Sequence, residues 1–254
     1  MKIAGITLFL FAINFCLGGL HAQVVGDKIY YTYDPKLVRG TIGYTQMSLD
    51  MRTDDPKLTI PARGAGALYL RAEGRILSGF MKAKNRIVLR DAFYLDMIMG
   101  KLTVPPLPFG AIGNESKFCT GGSFGYQFLL GYRTEQWAAL GGIDFTLANV
   151  SLGSAFDPQN LFTYYHPWMA RGEYKIGKDT GEEFRIITSV WSNFSKDKSF
   201  SGAFVDFPVA KQKRYWITFQ YQSRKTGNMT VVSYNSYPST LTQWMIGFKV
   251  GSIY

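Results

Sequence analysis

The sequence predicts an all-β chain closed into a transmembrane, antiparallel, up-and-down β-barrel of about ten strands. Three observations predict it. Apolar and polar residues alternate in segment after segment, the apolar side is unusually aromatic, and past the N-terminal segment no apolar run is long enough for a membrane helix. Successive side chains of a strand point to opposite faces, so each segment offers one wall to an apolar medium and the other to something polar. Only helices and closed barrels satisfy all their backbone polar groups in hydrocarbon, so the chain inserts in a membrane as a barrel or not at all, a secreted sandwich or lipocalin-like barrel being the alternative. A β-sandwich also alternates, but its apolar face is an aliphatic core and its polar face meets water. Here the apolar face is rich in Phe, Tyr and Trp, as interfacial girdles are.

Residues 1–22 read as an export signal: Lys2 is the sole charge, Ile3 to Leu20 is apolar, and Leu20-His21-Ala22 precedes Gln23, with Leu20 larger than cleavage sites prefer. An uncleaved anchor is the alternative, at the lower edge of the roughly 18–20 residues a span requires. Phe15 stands where a lipidated cysteine at Cys16 would need a small residue. Residues 23–254 are then a single barrel domain.

Strands are expected over 38–51, 63–76, 86–100, 121–133, 136–149, 166–176, 183–194, 213–224, 227–235 and 241–254. The first changes phase near Gln46, since Ile42 and Tyr44 follow one register and Met47, Leu49 and Met51 the other, which a bulge would explain. In the second, Leu68, Leu70 and Ala72 oppose Arg71, Glu73 and Arg75. In the fourth, Phe124, Tyr126, Phe128, Leu130 and Tyr132 oppose Ser123, Gly125, Gln127, Gly131 and Arg133. The sixth sets Trp168, Ala170, Tyr174 and Ile176 against Met169, Arg171, Glu173 and Lys175. Tyr215, Ile217, Phe219 and Tyr221 oppose Thr218, Gln220 and Gln222 in the eighth, Trp216 being the exception, and the ninth is the weakest. The last puts Trp244, Ile246, Phe248, Val250 and Tyr254 on one face and Gln243, Gly247, Lys249 and Gly251 on the other.

Most odd-numbered connections between these strands are long and most even-numbered ones short, with turns expected at Thr134-Glu135, Gly177 to Gly181 and Lys225-Thr226-Gly227. That asymmetry fits long external loops and tight periplasmic turns, and an even strand count leaves both termini in the periplasm.

The chain resembles the small outer-membrane β-barrel proteins of Gram-negative bacteria, through the export signal, the alternating strands and the ending Trp244-x-Ile246-x-Phe248-x-Val250-x-Ser252-x-Tyr254. The resemblance implies a place in the cell outer membrane. It also implies that Trp244, Ile246, Phe248, Val250 and Tyr254 are the signal read by the barrel assembly machinery. The chain departs from the usual pattern in ending on Tyr rather than Phe and in breaking the apolar face at Ser252.

Charge narrows the partners. Removing Lys2 from 28 basic residues leaves 27 against 18 acidic, scattered among strand ends and loops with no recognition helix. This excludes nucleic acid and suits outer-membrane lipid and glycolipid. Cys119 is the single cysteine past the signal, so no internal disulfide forms, and a buried small hydrophobe is the expected role. One histidine and one cysteine build no transition-metal site, and no cofactor is expected. Asp54-Asp55 lacks the spacing of a calcium loop. Gly64-Ala65-Gly66 lacks the later glycine of a dinucleotide site and more simply thins a strand. Asn-x-Ser/Thr triplets at Asn114, Asn149, Asn193 and Asn228 fall partly within strands and read as coincidence.

Gly121-Gly122-Ser123-Phe124-Gly125 matches G-x-S-x-G, with Asp144 or Asp157 and then His166 in hydrolase order, but the motif needs a strand-to-helix turn and Ser123 opens a strand. His166 before Pro167 and Trp168 better marks a strand entrance at the interface. The remaining candidates are the inward charges Arg71, Glu73, Arg75, Arg90, Asp96, Asp144, Arg171, Glu173 and Lys175, which would pair across strands because lone charges inside a barrel are costly. A barrel of about ten strands has a bore barely wider than one filled by side chains.

The expected function is therefore a non-enzymatic outer-membrane barrel with a largely filled, charged lumen. It would act through loops 101–120, 150–165 and 195–212 as a structural or partner-binding envelope protein. The contact residues would be 104–109, Phe162 to Tyr165, Lys196, Lys198 and Lys211, with lipid, glycolipid or another envelope protein as partner. Two alternatives stand beside it: a narrow channel for small ions or solutes biased toward anions by Arg71, Arg75, Arg90 and Arg171, and a lipid-modifying enzyme using Ser123 or His166.

Overall fold

A computed structural model describes residues 38–52, 59–75, 86–104, 115–153, 158–177, 184–193, 195, 198–209, 215–232 and 235–251. Within them run β1 (Val38–Arg52), β2 (Thr59–Gly74), β3 (Ile87–Val104), β4 (Glu115–Arg133), β5 (Trp137–Gly153), β6 (Pro158–Tyr165), β7 (Trp168–Lys175), β8 (Arg185–Ser192), β9 (Phe200–Pro208), β10 (Tyr215–Val232) and β11 (Asn235–Gly251). The strands form one antiparallel meander, and β1 pairs with β11 to close it. β6 and β7 share β5 in one unbroken register, Thr146 opposite Tyr165 and Ile143 opposite Trp168. They are halves of a single stave, interrupted where Pro167 has no N–H to give; its carbonyl still accepts from the Asp144 amide at 2.9 Å. The barrel therefore has ten staves, and Arg39 opposite Gly251 puts both described ends at one rim, here the terminal rim.

The faces are inside out relative to a soluble fold. Trp244, Ile246, Phe248 and Val250 of β11 are exposed, Trp244 to 61%, while Gln243, Met245 and Lys249 between them are buried. On β4, Phe124, Phe128, Leu130 and Tyr132 are exposed and Ser123, Gln127 and Leu129 buried. Tyr132, Trp137 and Tyr174 neighbour one another outside the terminal rim, the first two rings 6.1 Å apart, as an aromatic girdle would. Apolar surface continuous around a closed sheet is far beyond what a soluble monomer exposes. The outer wall is the face of a transmembrane barrel.

The interior is layered. Its terminal half holds most of the charges together with two small apolar clusters, Val88, Leu129, Ala138, Leu140 and Met169 in one and Ile187 and Trp216 in the other, whereas toward the far rim Met47, Leu49, Tyr69, Ile98, Leu102, Cys119, Leu241 and Met245 form an apolar plug. This explains the chemistry of β1. Its side chains keep alternating without interruption, Thr41, Thr45, Met47 and Leu49 all pointing in, and what changes near Gln46 is the interior from polar to apolar. A register shift against β2 does fall between Thr45 and Met47, but the extra residue lies on β2, where Thr45 pairs with Ala67 and Met47 with Gly64. A side chain at Gly64 would sit 2.4 Å from the Lys101 carbonyl oxygen.

Three expectations need correction. Residues 200–208, read as part of a loop, are strand β9, with Phe200, Gly202, Phe204 and Asp206 alternating with Ser201, Ala203, Val205 and Phe207. Residues 213–224 and 227–235, read as two strands around a turn, belong mostly to β10, which continues to Val232. Gly227 at φ 86° serves a bulge between Lys225 and Gly227 rather than a turn. One strand missed and one divided left the count unchanged. The alternation of long and short connections disappears with them: the interval between Gly74 and Ile87 exceeds that between Gly153 and Pro158. Thr134-Glu135 is a hairpin as expected, with Thr134 Oγ1 accepting from the amides of Gln136 and Trp137.

Wall height is uneven. β9 faces only Trp216 to Arg224 of β10, and the likewise short β8 stands between β7 and β9, so β6 and the rest of β10 rise above a low wall. There the Tyr165 hydroxyl donates across the barrel to the Lys225 carbonyl. The Tyr165 ring packs 5.1 Å from Phe200, which lies 6.0 Å from Trp191.

Candidate functional site: the barrel interior

Two carboxylates organise the charged half. Glu73 on β2 accepts from Arg39 Nη2 at 2.7 Å and lies 3.5 Å from Arg71 Nε and 3.7 Å from Lys249 Nζ. Lys249 also donates to Asp206 at 2.7 Å, and Arg71 Nη1 stands 3.7 Å from Asp96, which accepts from Ser123 at 2.7 Å. These contacts tie β1, β2, β3, β4, β9 and β11 together. On the opposite wall, Glu173 lies 2.8 Å from Arg171 Nη2 and 3.5 Å from Arg90 Nε, linking β7 to β3. Asp144 uses neutral donors, Tyr94 at 3.1 Å, Gln127 at 3.0 Å and Thr146 at 3.0 Å. The Arg71 guanidinium sits 4.0 Å over the Tyr94 ring.

Arg71, Glu73, Arg75, Arg90, Asp96, Asp144, Arg171 and Glu173 thus lie inside, while Lys175, near the terminal rim, is half-buried. The charge network expected from the sequence omits Arg39, Arg185, Asp206, Arg224 and Lys249, although Lys249 was placed on the polar face of the last strand. Arg39 shares the parity of Thr41 and Thr45 and was legible in principle; Asp206 was hidden with the strand that carries it. Arg185 is fully buried and donates to the Glu135 carbonyl at 3.3 Å. Arg224 is also fully buried, beside Leu241 of the apolar plug, and its three guanidinium nitrogens meet no hydrogen-bond partner among the described residues. Its Nη2 lies over Gly121, where an added side chain would come within 3.2 Å.

The structure separates the enzyme candidates. Ser123 is buried in the lumen and bonded to Asp96, whereas His166 is exposed on the outer wall, its ring 4.2 Å from Tyr164 and 5.7 Å from Phe145. The wall stands between them, and they cannot share a proton. Cys119 is a buried free thiol within the plug. Asp54-Asp55, Asp157, Lys196, Lys211, Tyr254 and residues 105–109 lie outside the described residues. The expected contact loops are shorter than read, since 101–104, 115–120, 150–153 and 158–165 are strand. Phe162 and Tyr164 point outward from β6, Tyr165 points inward, and Lys198 is exposed between β8 and β9.

No family model and no curated protein matches this sequence. Among solved structures, Neisserial surface protein A is similar at 9% identity, with 84% of this chain and 96% of that one covered and a TM-score of 0.40. The translocator domain of autotransporter NalP from Neisseria meningitidis is similar at 10% identity, with coverage of 84% and 88% and a TM-score of 0.40. The transport unit of autotransporter AIDA-I from Escherichia coli is similar at 12% identity, with coverage of 85% and 90% and a TM-score of 0.39. The fold of this chain rests on its own strand pairing.

Proposed function

We propose that this chain is a non-enzymatic barrel of the cell outer membrane whose interior is a scaffold and whose far rim contacts partners. The observation that supports it most is obstruction of the bore at two successive levels. The ion-pair layer around Glu73 and Glu173 spans the terminal half, and the apolar plug with the Tyr165 to Lys225 crossing spans the far half. An apolar constriction above a charged one admits neither ions nor apolar solutes freely.

With the bore filled, surface remains for function. A tilted strand crosses the bilayer in roughly 9–11 residues, whereas β3, β4, β5, β10 and β11 have 17–19. The surplus stands toward the far rim, where exposed Lys101, Thr103 and Asn228 interrupt the apolar band beside the exposed Phe118. Outer-membrane lipid and glycolipid headgroups are the partners this polar rim fits, with another envelope protein as the second. Trp244, Ile246, Phe248 and Val250, on the lipid face of the closing strand, suit recognition by the barrel assembly machinery during insertion.

Single-channel recording of the purified protein in planar bilayers tests the scaffold. Silence is the expected result. Stable openings whose conductance follows salt would replace it with a narrow anion-biased channel, and loss of a lipid A modification in His166→Ala would replace it with an enzyme.

A further inference from the structure

We propose that the charged half of the lumen holds a small monovalent anion of chloride size among Arg39, Arg75, Arg90 and Arg171. The four guanidinium groups, from β1, the end of β2, β3 and β7, line one cavity near the terminal rim with room for about one water-sized particle. Each of these arginines is at most 8% exposed. Asp91 and Gln127 also line the cavity. Gln127 gives its amide to Asp144, and Asp91 alternates with inward-facing Arg90 and Ala92 and accepts from the Tyr126 hydroxyl at 3.1 Å.

Two acids near the cavity already serve three of its four arginines, and a third, Asp91, lines it. Glu73 is shared by Arg39, Arg71 and Lys249, and Glu173 by Arg90 and Arg171. Arg75 meets no carboxylate within ion-pair distance among the described residues, and its Nη2 is buried without a partner. Arg39 Nη1 and Arg171 Nε are likewise buried and unpartnered. Guanidinium nitrogens have only protons to give. A cavity bounded by several such donors therefore requires an acceptor, and a buried uncompensated cation is costly enough to favour one carrying negative charge. Water would satisfy the donors and leave the charge of Arg75 unbalanced. A polyatomic anion such as sulfate exceeds the space, whereas chloride or bromide fits it.

The test uses the full protein folded in detergent micelles. Its unfolding midpoint, followed by tryptophan fluorescence, is measured in sodium chloride, sodium bromide and sodium gluconate at equal ionic strength. The midpoint should rise with chloride or bromide until it saturates and stay lower in gluconate, and Arg75→Met should abolish that difference. Equal midpoints in chloride and gluconate, or an Arg75→Met protein that keeps the full chloride response, would overturn the proposal. Crystals of the unsubstituted protein grown in bromide give a readout independent of any variant: an anomalous peak among the four arginines is expected, and its absence refutes the site.

Discussion

Replacing Glu73 with Gln removes one negative charge from the centre of the lumen while keeping volume and an acceptor oxygen. Three cations share Glu73, but they do not depend on it equally. Lys249 retains Asp206 at 2.7 Å and Arg71 retains Asp96 at 3.7 Å, whereas Arg39 has no other carboxylate among the described residues. Breaking a buried pair by removing one partner costs about 3–5 kcal/mol. The amide oxygen of Gln can still accept from Arg39 and restore about 1 kcal/mol. Glu73→Gln should therefore destabilise the barrel by about 2–4 kcal/mol, read from urea unfolding in liposomes by tryptophan fluorescence and by mobility of unheated protein on a gel. Adding Arg39→Gln removes the stranded cation, so the double variant should be more stable than the sum of the two singles implies, with a coupling of about 1–3 kcal/mol. A Glu73→Gln cost under about 0.5 kcal/mol, or strict additivity, would mean that water rather than Glu73 neutralises Arg39, and the lumen would then be wet instead of filled.

The wall makes further predictions. Phe219, exposed at the fifth residue of β10 and so near the middle of the roughly 9–11 residues that cross the bilayer from the terminal rim, faces hydrocarbon, so Phe219→Arg should cost about 2–4 kcal/mol in liposomes, the usual penalty at the bilayer midplane; a cost near zero in the same urea titration would refute the lipid-facing assignment. Single-tryptophan proteins report the same boundary from both sides, with Trp244 and Trp168 quenched by brominated lipid and Trp216, 1% exposed, protected; equal quenching of all three would contradict it. At Gly202 a methyl group would lie 2.3 Å from the Trp191 ring and 2.5 Å from the Tyr221 carbonyl oxygen, so Gly202→Ala should cost about 1–3 kcal/mol and alter the near-ultraviolet dichroism. An unchanged spectrum and stability would show that Trp191 does not pack over that glycine.

The facing of side chains was legible wherever the interior is polar, because outside and inside then differ in chemistry. β4, β7 and β11 are of this kind. Legibility failed where the interior turns apolar: β9 carries Phe200 and Phe204 inward and Val205 and Phe207 outward, so the contrast between its faces vanishes. Met47 and Leu49 of β1 mimic a phase change for the same reason. The division of β10 has a different cause, since glycine with positive φ serves a turn and a bulge alike, and only the pairing of the next strand distinguishes them. In the candidate site, parity located the charges but could not say which would meet. The Glu73 and Glu173 hubs depend on the order of strands around the barrel, and Asp206 could not be placed while its strand was unseen.

The layering of the interior also decides where this barrel should yield first. Around the terminal half, the Arg90–Glu173 and Lys249–Asp206 ion pairs join strands that are not sheet neighbours, and the backbone ladder is continuous. Above β8 and β9 the ladder is incomplete, because β6 and the upper part of β10 meet without sheet pairing and are joined by the Tyr165 hydroxyl and a small aromatic cluster. One net hydrogen bond is worth about 1 kcal/mol, far less than the rows of backbone bonds along every other seam. The buried Arg224 beside this seam adds an unpartnered cation, which stabilises no closed arrangement by itself. Local opening should therefore begin between β6 and β10, and it would expose Arg224 and the apolar plug before the charged half of the lumen loosens. Amide exchange should be fastest in 158–165 and 226–232 and slowest in β3 and β4; uniform protection around the ring would show that the seam is as strong as the rest of the wall.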